Sequence, residues 1–112
     1  MTTLPIIKDC KKSDNSVNLL LHFSKNAEYF QGHFPQMAVL PGFVQVHFAL
    51  TFAKEYLAVD QVILAIKKLR FTKIISPNSD INLTIEIISL KKITFKYFTK
   101  ETNHSSGEIH FV

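Results

Sequence analysis

The chain has 112 residues and a mass of 12.8 kDa, which predicts one domain over residues 1–112, with one core and too little wall for a deep pocket in a single chain. Hydrophobic residues make up 46% and charged residues 20%, which excludes a disordered chain, and the single cysteine, Cys10, excludes an internal disulfide and a cysteine-ligated metal site. The net charge of +4 lies wholly in residues 61–112, because residues 1–60 are neutral overall; a basic surface of this size can steer an acidic partner, although a solvated strand face accounts for it equally well.

Residues 1–12 hold no long apolar run, so no secretory signal is expected, and the default location is the cytoplasm. Cys10 is placed before the first strand. Residues 17–23 alternate Val17, Leu19, Leu21, Phe23 against Asn18, Leu20, His22. That period of two predicts a strand with one buried face. Residues 24–29 are polar and read as a loop. Residues 31–42 hold two prolines and two glycines, which excludes regular structure across most of the segment.

A helix is predicted over 42–57. Pro41 suits its first turn, where a missing N–H costs little. Apolar side chains occur nearly all round it, so it should be buried on most sides. The exceptions, His47, Thr51 and Glu55, stand four residues apart and form one polar stripe. The apolar stretch 39–53 is too short and too interrupted, by Pro41, Gly42, Gln45 and His47, to span a membrane.

Beyond Asp60 the pattern turns to strands. Residues 62–71 are rich in Val, Ile, Leu and Phe, and 76–80 are a turn. Residues 81–90 and 93–98 alternate, with Ile81, Leu83, Ile85, Ile87 and then Ile93, Phe95, Tyr97 on one face. A second turn is predicted at 103–107, then a strand over 108–112 with Ile109 and Phe111 inward. A helix that is apolar on most faces needs a partner that wraps it, and a curved antiparallel sheet of about five strands supplies one. The fold class is α+β. No nucleic-acid module is legible.

The loop reads Gly32-His33-Phe34-Pro35, then Leu40-Pro41-Gly42 at the helix start. In type and spacing this resembles the signature of the β-hydroxyacyl-acyl-carrier-protein dehydratases, which have the hotdog fold. Leu69-Arg70-Phe71, the stretch 75–83 and Ser106-Gly107-Glu108-Ile109 resemble later parts of the same family, so the likeness runs from about residue 17 to the end. It implies one long helix wrapped by the sheet, and a dimer whose site lies between subunits, with the motif His from one chain and the helix residue from the other. It also implies substrate held on the phosphopantetheine of an acyl carrier protein, with no metal or redox cofactor. Gln45, two residues before His47, resembles the short dehydratases of aryl-polyene biosynthesis, which sometimes work beside a second dehydratase-like subunit.

The chemistry asks for three groups. A base must take the proton next to the thioester carbonyl. A neutral imidazole at His33 suits this, since imidazole titrates at about 6.5. Outside such a motif, a lone loop imidazole more often only hydrogen-bonds backbone. A donor must stabilise the enolate oxygen, and the Gly42 N–H at the helix start suits this. Phe34, Pro41, Phe43 and Thr51 are the expected substrate-binding residues. Phe30, Phe34, Phe43 and Phe48 suit an acyl tunnel or simple core packing.

The third group must protonate the leaving hydroxyl, and here the sequence departs from the family. The family carries Glu or Asp fourteen residues after the motif His, where this chain has His47; one turn on, Thr51 replaces the family's usual Gln. Three readings follow. His47 replaces the carboxylate as the acid, the two imidazoles titrating as a pair. Or the chain is a catalytically weak acyl-binding subunit, or a heteromeric partner of another dehydratase. Or His33 and His47 ligate a metal, for which no matched Asp, Glu or Cys is evident. A hotdog thioesterase is a further alternative, opposed by the Gly-His-Phe-Pro motif. Lys67, Lys68, Arg70, Lys73, Lys91 and Lys92 suit docking of an acidic carrier protein. His22, His104 and His110 are expected in solvent.

Overall fold

A computed structural model describes residues 4–30 and 39–112. The elements in order are β1 (Ile6–Lys12), β2 (Ser16–Phe23), a 3-10 turn (Glu28–Phe30), α1 (Gly42–Leu57), β3 (Ile63–Phe71), β4 (Ser79–Ser89), β5 (Lys92–Phe98) and β6 (Asn103–Phe111). The six strands form one antiparallel sheet in the order β1-β2-β4-β5-β6-β3.

The register shows why the alternating segments form a face for the helix. Leu19 pairs with Leu83, Leu83 with Tyr97, and Tyr97 with Ser105. The next row runs Val17, Ile85, Phe95, Gly107. These rows are buried, and α1 covers them with Val44, Val46, Phe48, Ala49, Phe52 and Ala53. Each large apolar side chain taken fully from water is worth roughly 1.5–3 kcal/mol, so these rows hold the sheet to the helix. The helix starts and ends where the sequence predicts. It closes on Ala58, which takes a left-handed conformation (φ 55°) so that its N–H reaches the Ala53 carbonyl.

Three expectations are corrected. There are six strands rather than about five, because residues 6–12 form β1, with Cys10 inside it. Every residue of β1 is exposed, so it carries no period-two burial signal. Second, residues 103–107 belong to β6, and the turn lies at 99–102, closed by the Thr99 N–H on the Thr102 carbonyl at 2.8 Å. Turn-type residues stand in that strand because its inward positions need them. Ser105 meets a polar partner, and a Cβ at Gly107 would come within 2.8 Å of the Phe95 ring. Third, His104 is buried, with its Nδ1 2.9 Å from the Ile74 carbonyl, so that nitrogen carries a proton. His22 and His110 are half-buried beside Asp80 and Glu108.

β3 differs from the strands beside it. It is apolar without alternation, and eight of its nine residues are exposed. Ile63, Leu64, Ile66, Leu69 and Phe71 all present large apolar surface to solvent. It is an edge strand with one side unpaired among the described residues. No helix among the described residues is long and apolar enough to cross a membrane.

Candidate active site

The site grows from the start of α1. Pro41 precedes the helix in an extended conformation (φ −61°, ψ 147°), and its carbonyl accepts the N–H groups of Val44 and Gln45, both at 3.1 Å. The first N–H groups of a helix have no partner within it. Among the described residues none caps Gly42 or Phe43, which leaves the Gly42 N–H as a candidate donor. Leu40 is tied to the connection between β3 and β4 by its N–H on the Ile75 carbonyl, 2.9 Å.

Gly42 makes a close approach here. A Cβ at this position would lie 2.6 Å from the tip of the Phe71 ring. Phe71, at the end of β3, therefore lies against the helix start. A cleft of about 290 Å³ opens there, walled by Leu40, Pro41, Gly42, Gln45, Phe71 and Ile74, with Lys73 at its side. A larger hollow of about 460 Å³ shares no residue with it. That hollow is lined by Lys68, Arg70, Lys96, Glu86, Glu108 and their neighbours on β3–β6.

His47 is exposed on α1, and among the described residues its ring has one aromatic neighbour, Phe48, with centroids 6.1 Å apart. Phe43, one turn earlier, is 76% exposed, far more than a tunnel wall closed within one chain would allow. Thr51, one turn later, is half-buried, and its hydroxyl donates to the His47 carbonyl at 2.9 Å. The polar stripe thus continues an open helix face running from Phe43 through His47 to Thr51. Phe30 and Phe48 are core residues. His33 and Phe34 lie outside the described residues. Among the described residues no three His, Cys, Asp or Glu side chains converge as metal ligands.

One buried polar group was not foreseen as part of the site. Gln45 is 3% exposed. Its Nε2 donates to the Leu40 carbonyl at 3.1 Å, its Oε1 accepts from the Ser105 hydroxyl at 2.6 Å, and its backbone carbonyl accepts from the Tyr97 hydroxyl at 2.7 Å. Burial drives the Tyr97 hydroxyl well above its ordinary pKa, so it stays a neutral donor. The available signal was a glutamine between two valines on an apolar helix, facing a Tyr and a Ser that the strand register places side by side.

The sequence pattern of the ApeI-like dehydratases matches residues 9–108. The chain belongs to the ApeI-like dehydratase family. Within the wider dehydratase group it is 30% identical over 110 residues to the 3-hydroxyacyl-[acyl-carrier-protein] dehydratase FabZ of Caldicellulosiruptor saccharolyticus, covering 92% of this chain and 74% of that one. The FabZ of Clostridium perfringens is 34% identical over 97 residues, covering 77% and 70%. In fold, a chain of the dehydratase heterocomplex ApeI:P from Xenorhabdus doucetiae superposes with a TM-score of 0.88 at 24% identity, covering 96% of this chain and 97% of that one. An uncharacterized protein from Erwinia carotovora subsp. atroseptica gives 0.79 at 28% identity, covering 98% and 97%. The fold is the hotdog, and this ApeI-like chain adds one edge strand to the expected architecture.

Proposed function

We propose that this ApeI-like chain eliminates water from a 3-hydroxyacyl thioester to give a trans-2-enoyl thioester, with the acyl chain carried on an acyl carrier protein in the cytoplasm. The observation that carries the reading is that Gly42, whose N–H no described residue caps, lines a cleft on the same helix as an exposed His47. His33 takes the proton from the carbon next to the thioester carbonyl. The Gly42 N–H holds the negative oxygen that forms. Electrons then move into the new carbon–carbon double bond as the carbon–oxygen bond breaks, and His47 gives the hydroxyl its proton so that it leaves as water. The cycle starts with His33 neutral and His47 protonated and ends with the two exchanged, and solvent resets them. The step needs no metal or redox cofactor. Phe34, Pro41, Phe43 and Thr51 border the substrate, and Lys67, Lys68, Arg70 and Lys73 meet the acidic carrier.

The open helix face and the bare β3 edge together support a second hotdog subunit, either another copy or a different chain, that completes the pocket. ApeI:P is itself a heterocomplex by name, and the short aryl-polyene dehydratases are the pathway setting this arrangement suits. One specific observation favours a second reading, a weak acyl-binding subunit: His47 stands where the family has a carboxylate.

Hydration of a short trans-2-enoyl thioester tests both readings. The expected result is wild-type activity that falls at least about a hundredfold in His33→Ala and in His47→Ala. Activity kept in His47→Ala would sink the two-imidazole mechanism. A wild type inactive at every pH, alone and with a second hotdog subunit, would leave the binding role.

A further inference from the structure

The buried group around Gln45 lies on the path between the sheet and the Gly42 N–H. Tyr97 and Ser105 are cross-strand neighbours on β5 and β6, both inward, and both of their hydroxyls end on Gln45. The other end of the Gln45 side chain holds the Leu40 carbonyl, the peptide group before Pro41. Every side-chain polar atom of Gln45 thus has a specific partner. One arm fixes its amide orientation, and the other fixes the turn that aims the helix start.

We propose that Gln45 is a positioning residue that sets the direction of the Gly42 N–H, acting through the Leu40 carbonyl and locked by Ser105 and Tyr97. The inference rests on the proposed function for its catalytic meaning, but not for its geometric content. The physical argument is one of tolerance. A donor aimed at a developing oxyanion works only when pre-set, and a displacement of about 1 Å can cost about a hundredfold in rate. Pro41 has no N–H with which to anchor the turn, and among the described residues no side chain caps the helix. Among the described residues the Leu40 carbonyl is therefore the handle nearest Gly42 that a side chain grips. Water would satisfy Gln45 equally well on an open helix, but here it is buried, and leaving either arm unpaired carries the full desolvation cost of a buried polar group.

Two variants, each read in two ways, test this. Gln45→Met keeps length and bulk but removes both arms. The expected result is a folded protein whose Gly42 amide resonance moves and whose Gly42 N–H exchanges at least about tenfold faster, with kcat reduced about tenfold to a hundredfold and KM little changed. Gln45→Glu adds a sharper reading. As a neutral acid, the introduced carboxyl donates to the Leu40 carbonyl and accepts from Ser105, as glutamine does; once ionised, it repels that carbonyl. The Gly42 resonance and kcat should then titrate together, near wild type at the acid end and displaced at the alkaline end. A merely structural role would shift stability without coupling these two. An unmoved Gly42 amide in folded Gln45→Met, or no titration of that amide in Gln45→Glu, would overturn the proposal. If Gln45→Met fails to fold, the Gln45→Glu titration decides alone. If the wild type shows no dehydration, the proposed function fails, and the amide readout still decides the geometry.

Discussion

The two edges of the sheet are exposed to a similar degree but differ in chemistry. β1 is exposed at all seven of its residues and β3 at eight of nine. Four of the seven residues of β1 are charged, Lys8, Asp9, Lys11 and Lys12, and its large exposed apolar residues are Ile6 and Ile7. β3 exposes Ile63, Leu64, Ile66, Leu69 and Phe71, and Phe71 reaches the helix start at Gly42. A lysine-rich edge resists pairing with another strand, whereas a long apolar edge invites it. Exposure alone therefore does not mark an interface; exposed apolar surface that continues into a candidate site does. β1 ends the sheet, and β3 is where a second subunit would extend it.

The most direct way to break the contrast is to give β3 the chemistry of β1. Leu64→Lys combined with Ile66→Lys changes two of its exposed apolar residues. The expected outcome is loss of the dimer by sedimentation and at least a hundredfold loss of activity, with the far-UV spectrum of the single chain retained. Ile7→Lys in β1 is the matched control and should leave both unchanged. If the wild type already sediments as a monomer without a second hotdog subunit, the same pair of variants is read on the heteromer. If the doubly substituted chain still dimerises, the assignment of β3 is wrong.

How legible each region was follows from the same physics. The period-two segments β2, β4 and β5 were readable because each has one sealed face, and the helix because Pro41 and its apolar run bound it. β1 was not, since an edge with no buried face has no alternation to read. β6 was cut short because Asn103, Ser105, Ser106 and Gly107 look like a turn. In the fold, Ser105 is the hydroxyl partner of Gln45 and Gly107 makes room for Phe95. At the site, motif spacing marks Gly42 and His47, and both lie on α1, Gly42 half-buried and His47 exposed. Gln45 was noticed only as a likeness to relatives, because a sequence does not show which polar residue is buried. His33 and Phe34, half of the Gly-His-Phe-Pro motif, lie outside the described residues.

Gly42→Ala sharpens the contrast at the point where β3 meets the site, with an expected effect about tenfold smaller than loss of the subunit. A new methyl 2.6 Å from the Phe71 tip forces that ring aside. Phe71 is 49% exposed, so it can yield at little cost. Alanine also lowers the entropy of the unfolded chain by up to about 1 kcal/mol, which offsets much of the strain. The melting temperature should move by no more than a few degrees, while kcat falls about tenfold as the cleft and its donor shift. Phe71→Leu added to Gly42→Ala should recover most of the lost rate. A double variant no better than Gly42→Ala alone would show that the crowding lies elsewhere.

The smallest expected effect concerns the fastening of β1. Asp80 on β4 takes Lys8 of β1 at 2.9 Å and His22 of β2 at 2.7 Å, one on each oxygen, so a single carboxylate spans three strands. These two partners, Lys8 first, hold the Asp80 carboxyl below its usual range. A depressed carboxyl stabilises the fold above its ordinary titration range, and that contribution disappears as pH falls through the depressed value. The pairs are solvent-exposed, so the gain is at most about 1 kcal/mol and is weakened by salt. Protection of the β1 amides, taken against the intrinsic exchange rate at each pH, should therefore fall by no more than about fivefold on acidification below the carboxylate range. Asp80→Asn should show the lower protection already at neutral pH, with the acid-dependent step removed. β3 has a comparable link through Glu108, which lies 3.6 Å from Lys68 and is held low mainly by His110. Acid should therefore loosen both edges a little. If acid weakened the β1 amides equally in wild type and Asp80→Asn, the carboxylate would not be what fastens that edge, and the charged residues of β1 would serve only to keep other strands away.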